Sequence, residues 1–333
     1  MKQFSELEIK QWFTNINSKK ILVIGDFMLD KYIQGKVERI SPEAPVPVVH
    51  VHKRDARAGG AGNVVMNVQS LGAQVFPVSL IGADENGNAL LDIFKNLGVC
   101  CDGILQLPEL KTTTKTRVLA QSHHMLRIDD EDLKQINDSQ RIIMLKHIQN
   151  LLENNSFDAI LFEDYDKGVL NENTISTIVK WANEKSIPTF VDPKKNNFTA
   201  YKNVTFFKPN LKELREGLGI NIQDVEDVIK ADALLRKTLN NTYTLCTMSE
   251  KGVFFSDAQS HIVQKSLVRN LADVSGAGDS VIATLTCMYV AGAEAETAAQ
   301  IANIAAGIVC EYPGVVPVEK ERLLQESIKF FIA

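Results

Sequence analysis

A chain of 333 residues, 45% of them hydrophobic, can bury a sizeable core and suits one large α/β domain or two smaller ones. A formal net charge of −5 argues against general binding to nucleic acid or to an anionic membrane, so an anionic substrate would need a local cluster of cations. Residues 1–20 carry no apolar core of signal-peptide type, and the apolar stretch Val281 to Ala293 is too short for a bilayer. Five cysteines without a Cys-x-x-Cys pair give neither a zinc site nor a disulfide framework, and read as reduced thiols of a cytoplasmic protein.

Lys20 to Gly25 is a short apolar run of the kind that forms a strand buried on both faces. The loop expected after it, Gly25-Asp26-Phe27-Met28-Leu29-Asp30, places Asp26 and, less directly, Asp30 where they could accept hydrogen bonds from sugar hydroxyls beyond the strand end. Tyr32 to His52 holds Pro42, Pro45 and Pro47 and ends in a β-rich run, an extended excursion from the α/β rhythm. Gly59-Gly60-Ala61-Gly62-Asn63 then precedes a helix from Val64 to Leu71. This turn offers a phosphate cradle or close helix packing. It lacks the Lys-Ser/Thr of a P-loop, and Val65 stands where a dinucleotide fingerprint needs glycine. Asn63 and Asn67 share a helix face and suit hydroxyl recognition.

Gln74 to Ile81 predicts a second strand and Asn86 to Leu97 a helix. Lys111 to Asp130, with Thr112 to Arg117 and Met125 to Ile128, is a second excursion; the two together predict a small β lid. Helices follow over Gln140–Glu153, Asn173–Lys185 and Gln223–Thr238, with strands over Asp158–Phe162, Ile187–Val191, Val204–Phe207 and Tyr243–Thr247. This alternation predicts an α/β fold with a doubly wound, mostly parallel sheet, in one domain over 1–333 with lid segments at about 31–52 and 111–130.

Several strand ends at the same sheet edge carry charged loops: Asp164-Tyr165-Asp166-Lys167-Gly168, Asp192-Pro193-Lys194, and Lys208-Pro209-Asn210-Leu211-Lys212-Glu213. Asn210 and Glu213 have the spacing of a capping box, and the Glu213 carboxylate could also order the water shell of Mg²⁺. The most telling run is Asp273-Val274-Ser275-Gly276-Ala277-Gly278-Asp279, which opens a long apolar helix. Its glycines let an anion approach backbone amides at the positive end of the helix. Asp279 would repel a resting phosphate there. It makes sense as a base for an attacking hydroxyl beside amides that hold the transferred phosphoryl group, or else as a residue that merely stabilises the first helical turn. Convergence of these loops on one edge favours phosphoryl transfer.

From Lys20 to near Pro317 the chain resembles the ribokinase/phosphofructokinase-B family of sugar kinases. The resemblance rests on Gly59 to Asn63, on Asp273 to Asp279, and on Asn210 with Glu213. Within the family it looks most like the heptose-7-phosphate kinases. That narrower likeness rests on Gly25 to Asp30, on Arg39-Ile40-Ser41-Pro42-Glu43-Ala44-Pro45-Val46-Pro47-Val48-Val49, and on Asp164 to Gly168. The resemblance implies Asp279 as catalytic base and Gly276, Ala277 and Gly278 as the anion hole. It places Asn210, Leu211, Lys212, Glu213, Ser249, Lys251, Gly252 and Asn303 on the ATP/Mg²⁺ side, and Asp26, Gly59, Gly60 and Asn63 on the sugar side.

It further implies ATP as phosphoryl donor, D-glycero-β-D-manno-heptose 7-phosphate as the sugar phosphate, and a homodimer formed through the lid strands. Lys115, Arg117, Arg127 and Lys167, in or near the lid, are the candidates for a distal phosphate. Ser275 stands where threonine is usual and keeps the hydroxyl. Ala58 replaces a common proline, and Glu311 to Val315 departs from the family pattern, which leaves a monovalent-cation site open. No His-x-Gly-His occurs, so this chain is expected to phosphorylate and not to transfer a nucleotide. The competing expectations are a kinase of another sugar and a non-catalytic sugar-phosphate sensor; an intact Asp279 argues against the sensor.

Overall fold

The computed structural model describes residues 3–120, 123–132, 135–267 and 271–332. The chain starts with α1 (Glu6–Asn15), capped by a Ser5/Glu8 capping box, and enters β1 (Lys20–Gly25). A single residue, Asp26, separates β1 from β2 (Phe27–Ile40), which is followed by β3 (Pro47–Gly60), α2 (Ala61–Leu71), β4 (Gln74–Gly82), α3 (Glu85–Asn96), β5 (Ile104–Leu107), β6 (Thr114–Ala120) and β7 (His123–Asp130). The second half runs α4 (Asp138–Asn154), β8 (Ala159–Glu163), α5 (Glu172–Glu184), β9 (Thr189–Asp192), β10 (Phe206–Phe207), α6 (Leu211–Leu218), α7 (Val225–Leu239), β11 (Tyr243–Thr247), β12 (Val253–Ser256), β13 (His261–Gln264), α8 (Ala277–Val290), α9 (Ala295–Val309) and α10 (Lys320–Ile332).

Nine strands form one sheet in the order β13-β12-β11-β10-β9-β8-β1-β4-β5. Every pairing from β5 to β11 is parallel, and the last two strands add as antiparallel neighbours. Strands in its centre are buried along most of their length, which is why their sequences are mostly apolar. One face packs on α2, α8, α9 and α10 through residues such as Val64, Leu285 and Ile301; the other packs on α4, α5 and α7 through Ile148, Ile178 and Leu235. The α/β architecture with a doubly wound, mostly parallel sheet is therefore as the sequence predicts.

A second sheet of four strands, in the order β3-β2-β6-β7, makes the lid. It is larger than the sequence implied. Phe27 to Ile40, whose first residues read as a loop, is one long strand, and Gly59-Gly60 ends a strand instead of opening the helix. The helix starts at Ala61, with Gly60 at φ 58° and ψ −135°, a geometry that a side chain resists. A Cβ at Gly59 would also collide with the Asp30 carboxylate. Because β2 leaves β1 after one residue, the lid is covalently seated at the sheet edge where the charged loops gather.

Candidate active site

Gly276, at φ 79°, turns the chain into α8, and Asp279 is the third helical residue. The Ala277 amide donates to the Val274 carbonyl at 3.3 Å, so the donors of this turn that can face an anion begin at Gly278. Asp279 is 7% exposed. Its Oδ2 accepts from Asn63 Nδ2 at 2.7 Å and its Oδ1 from the Tyr165 hydroxyl at 2.8 Å. Burial raises the Asp279 pKa, the Asn63 hydrogen bond opposes that rise, and the charge of Asp192 adds to it. Asn63 thus touches Asp279 directly. Asn67, one turn on, donates to the Asn63 carbonyl and accepts from Ser280 and from the Val318 amide, tying α2 to α8 and to the chain before α10.

Beside the turn lie two lysines and a set of acids. The buried Lys208 ammonium is 2.6 Å from Asp192 Oδ2, and a Cβ on Gly278 would sit 3.6 Å from that ammonium. Lys194 contacts Glu213 and lies 5.0 Å from the centre of the Tyr165 ring. Burial works against the charge of Lys194, but Asp192 and Glu213 more than offset it, so its pKa is raised; Lys208 behaves alike. Glu213 and Asn210 form the expected capping box on α6, with Glu213 Oε2 accepting from the Asn210 amide at 2.9 Å. Glu213 therefore has one oxygen on the cap and the other on Lys194.

Glu163, at the end of β8, is fully buried with no donor to either carboxylate oxygen. Burial, then Asp192 and Asp279, hold its pKa well above the usual carboxylate range. Glu163, Asp192 and Asp279 each offer one oxygen, and these oxygens lie within 4.8 Å of one another. The site reading from sequence did not include Glu163 or Tyr165, and gave Asp192, Lys194 and Lys208 no role beyond charged loop residues. The available signal for Glu163 was an acidic residue directly after the buried strand run that ends at Phe162.

Asp26 is 1% exposed and receives three backbone amides, those of Tyr165 (2.8 Å), Lys167 (3.1 Å) and Val169 (3.1 Å). It anchors the loop that presents Tyr165. Burial and the nearby Asp164 push its pKa up to about 7, against the pull of those amides. Asp164 in turn accepts from Asn197 and the Tyr201 hydroxyl, at 2.9 and 2.7 Å, fixing the same loop.

On the lid, Asp30 pairs with Arg117 at 2.6 Å, and the Tyr32 ring lies between Arg57 and Arg117, whose guanidinium carbons are 5.1 and 5.5 Å from its centre. Lys167 pairs with Glu131 at 2.9 Å and Arg127 with Asp129 at 2.9 Å. Lys115 has no ion-pair partner among the described residues. Its pKa is lowered by burial and by the neighbouring charge of Lys167.

On the nucleotide side, Ser249 and Lys251 are exposed in the turn after β11, where Gly252 has φ 88°; a side chain there would strike the Gln264 carbonyl. Leu211 is half-buried and Lys212 exposed at the start of α6, with Asn210 bridged to Thr247 beside β11. Asn303, on α9, donates to the Lys265 carbonyl at 2.9 Å. The divergent 311–315 loop folds back: the Gly314 amide donates to Asp273 at 3.0 Å, and Arg57 donates to the Val315 carbonyl at 2.8 Å.

A buried carboxylate at a glycine-opened helix start, lysines beside that turn and a lid sheet seated at the same edge define a sugar kinase of the ribokinase-like fold. The chain belongs to the pfkB family of carbohydrate kinases, whose profile it matches over residues 18–321. It is 41% identical over 303 residues to the bifunctional protein HldE of Pelobacter propionicus and 39% identical over 306 residues to that of Methylobacillus flagellatus, covering 90% and 92% of this chain. The chain spans only 61% and 62% of those relatives' lengths. Among solved structures, phosphofructokinase-2 from Escherichia coli in complex with potassium superposes with a TM-score of 0.77 at 17% identity, covering 95% of this chain and all of that one. Ribokinase of Arabidopsis thaliana complexed with ribose and ATP gives 0.72 at 18%, covering 92% and 99%. These superpositions establish the shared fold. The protein is a carbohydrate kinase of the pfkB family.

Proposed function

We propose that this kinase phosphorylates the anomeric hydroxyl of D-glycero-β-D-manno-heptose 7-phosphate to give the 1,7-bisphosphate, a step toward ADP-heptose for lipopolysaccharide. The observation that carries the chemistry is Asp279: a buried carboxylate, held by two donors, at a glycine-opened helix start. Asp279 takes the proton of the attacking hydroxyl, and Asn63 and Tyr165 hold its two oxygens in place. The turn at Gly276, Ala277 and Gly278, with the Gly278 amide and the buried Lys208, offsets charge that develops on the transferred phosphoryl group. Mg²⁺, which suits the hard carboxylate oxygens of this edge, supplies further charge stabilisation when bound with ATP. Glu213 is placed to order its water shell while Asn210 caps α6. Leu211, Lys212, Ser249, Lys251, Gly252 and Asn303 line the approach of the nucleotide. A monovalent cation would have to sit near the Asp273 turn, where the Gly314 amide now binds.

The sugar is placed by Asp26, Asp30, Gly59, Gly60 and Asn63, under a lid of segments 31–52 and 111–130. Support for a heptose phosphate comes from the motifs at 25–30, 39–49 and 164–168, and from similarity to the HldE proteins. A distal phosphate needs cations, and Lys115 suits it best, since among the described residues Arg117 is paired with Asp30, Lys167 with Glu131 and Arg127 with Asp129, while Lys115 has no ion-pair partner. The lid leaves Ile40, Leu126 and Ile128 exposed, as a homodimer through lid strands would require. No described helix is long and apolar enough to cross a membrane, and we place the enzyme in the cytoplasm.

The test is ADP production across a panel of sugars and sugar phosphates. The expected result is strong preference for a seven-carbon 7-phosphate. A preference for an unphosphorylated or shorter sugar would refute the heptose assignment and leave the carbohydrate kinase intact.

A further inference from the structure

We infer that Asn67 is a positioning residue for the base: it fixes which way the Asn63 amide faces, so that Asn63 can donate to Asp279 and cannot accept from it. Asn63, Asn67 and Ser70 stand at i, i+4 and i+7 on α2 and make a polar stripe on a helix whose other buried residues are small or apolar. Asn63 is 1% exposed and Asn67 0%, so the protein's own groups must satisfy both amides. Asn67 meets a partner at each of its four hydrogen-bonding positions. Its Nδ2 donates to the Asn63 carbonyl at 2.9 Å and to Asn63 Oδ1 at 3.2 Å. Its Oδ1 accepts from the Val318 amide at 2.9 Å and from the Ser280 hydroxyl at 3.1 Å.

An amide side chain can turn over without changing its shape, so its direction has to be imposed by a neighbour that cannot turn. Val318 is that neighbour, because a backbone N–H only donates. Ser70 reaches the Val318 carbonyl at 2.9 Å from the same helix, so α2 holds Val318 by both its amide and its carbonyl. With Asn67 Oδ1 turned to Val318, its Nδ2 must face Asn63 Oδ1, and Asn63 Nδ2 is left to donate to Asp279 Oδ2 at 2.7 Å. Turning Asn63 over would set two NH₂ groups against each other at one end, and a carbonyl oxygen against the Asp279 carboxylate at the other. Gly276 leaves room for the arrangement, since a Cβ there would lie 2.7 Å from Asn63 Nδ2.

This role rests on the reading of Asp279 as the base, and it matters most once that base has taken a proton. An unrestrained asparagine would turn over and accept from a protonated Asp279, stabilising the acid form as well as the base form. Held by Asn67, Asn63 favours only the charged carboxylate, the form that acts as base. The other titratable groups around Asp279 come from elsewhere: Glu163 from β8, Tyr165 from the loop after it, Asp192 from β9 and Lys208 after β10. None of them hydrogen-bonds the Asn67 side chain, so a change at Asn67 leaves them in place.

The test is Asn67→Leu, which fills a similar space and cannot steer an amide. The acid limb of kcat/KM should move to higher pH, with activity on that limb down roughly ten-fold, about the loss of one charge-assisted hydrogen bond. The KM for ATP and the plateau at high pH should change little. In an Asn63→Ala background the same substitution should move the limb no further, because Asn67 acts through Asn63. Ser70→Ala, which loosens the same seam without touching the amide chain, should lower Tm and leave the limb in place. With Asp279→Asn inactive, an unmoved limb in Asn67→Leu would overturn the inference. So would an equal shift in Ser70→Ala, or a further shift in the Asn63→Ala background; Asn67 would then be a structural tie between α2 and the chain before α10. Should Asn67→Leu fail to fold, Asn67→Thr, whose hydroxyl can bond the Asn63 carbonyl but is too short to steer its side chain, gives the same readings.

A readout independent of catalysis separates this role from the base reading. The side-chain amide protons of Asn63, assigned in NMR spectra of nucleotide-free protein by their loss in Asn63→Ala, should exchange slowly in wild type and fast in Asn67→Leu. That result beside an Asp279→Asn variant that still turns over would end the base reading and keep the orienting role. Equally slow exchange in both proteins would overturn the orienting role, whatever Asp279 does.

Discussion

At the base end of the site, Asp279, Glu163, Asp192 and Lys208 come from four different parts of the chain and are almost removed from water. At the lid end, Asp30, Lys115, Arg117 and Arg127 sit on neighbouring strands of one sheet and are mostly half-exposed or exposed. Similar charges therefore have unequal leverage. Near Asp279, burial raises the pKa of Asp279 and Glu163 and makes every lost partner costly. On the lid, solvent and salt screen exposed pairs such as Arg127–Asp129, while the buried Asp30 and its Arg117 partner set the geometry of the sheet. The core edge is suited to chemistry and the lid to selecting what reaches it.

The largest expected effect tests the base end. Asp279→Asn keeps the side-chain shape and should retain the fold, but turnover should fall by roughly two to four orders of magnitude, the usual weight of a general base. Steady-state ADP production measures this. A variant that turns over near the wild-type rate would make Asp279 a helix-start residue and nothing more. Next comes Lys208→Met, which strands a buried Asp192 carboxylate. Breaking a buried pair from one side costs about 3–5 kcal/mol, so the denaturation midpoint should drop sharply. An unchanged midpoint would mean that the two ends of the site do not differ in the way their burial implies.

Legibility in the sequence followed the same division. The bounds of Lys20–Gly25 and Tyr243–Thr247 match the strands to the residue, because a strand covered on both faces is mostly apolar. The lid was harder. Residues Phe27-Met28-Leu29-Asp30-Lys31 follow a buried strand with no alternation of apolar and polar side chains, so they read as a loop, whereas they begin a 14-residue strand. Gly59-Gly60 read as a helix opening, since glycine pairs serve strand ends and helix starts alike. At the site, the helix start at Gly276 to Asp279 and the capping box at Asn210 and Glu213 are local in sequence and could be read directly. The Tyr165–Asp279 bond joins residues 114 apart, and the isolation of Glu163 depends on what fails to reach it. No spacing rule encodes either.

A smaller effect sharpens the lid side. Lys115→Ala should raise the Michaelis constant for heptose 7-phosphate by about ten-fold, the equivalent of one charge-assisted contact, while a sugar without the distal phosphate is little affected. Arg127→Ala, on an exposed strand, should change it much less, and added salt should weaken binding of the phosphorylated sugar selectively. Equal effects at Lys115 and Arg127 would mean that the lid reads the phosphate with its whole surface and not through one half-buried lysine.

The smallest effect returns to the base end through pH. Burial raises the Asp279 pKa, and hydrogen bonds from Asn63 and Tyr165 counter the rise by favouring the charged carboxylate. A base works only when deprotonated, so kcat/KM should fall as pH drops through that raised pKa. Tyr165→Phe removes one donor to the charged form. The pKa should then rise further, and the acid limb of the profile should move to higher pH, while the plateau at high pH stays within a few-fold of wild type. Asn63→Ala should shift the limb in the same direction and, if Asn63 also contacts the sugar as proposed, weaken sugar binding. A limb that stays in place in Tyr165→Phe would mean that the hydroxyl contact at 2.8 Å is only a packing contact. The titrating group would then have to be sought elsewhere in the cluster, with Glu163 the first to examine.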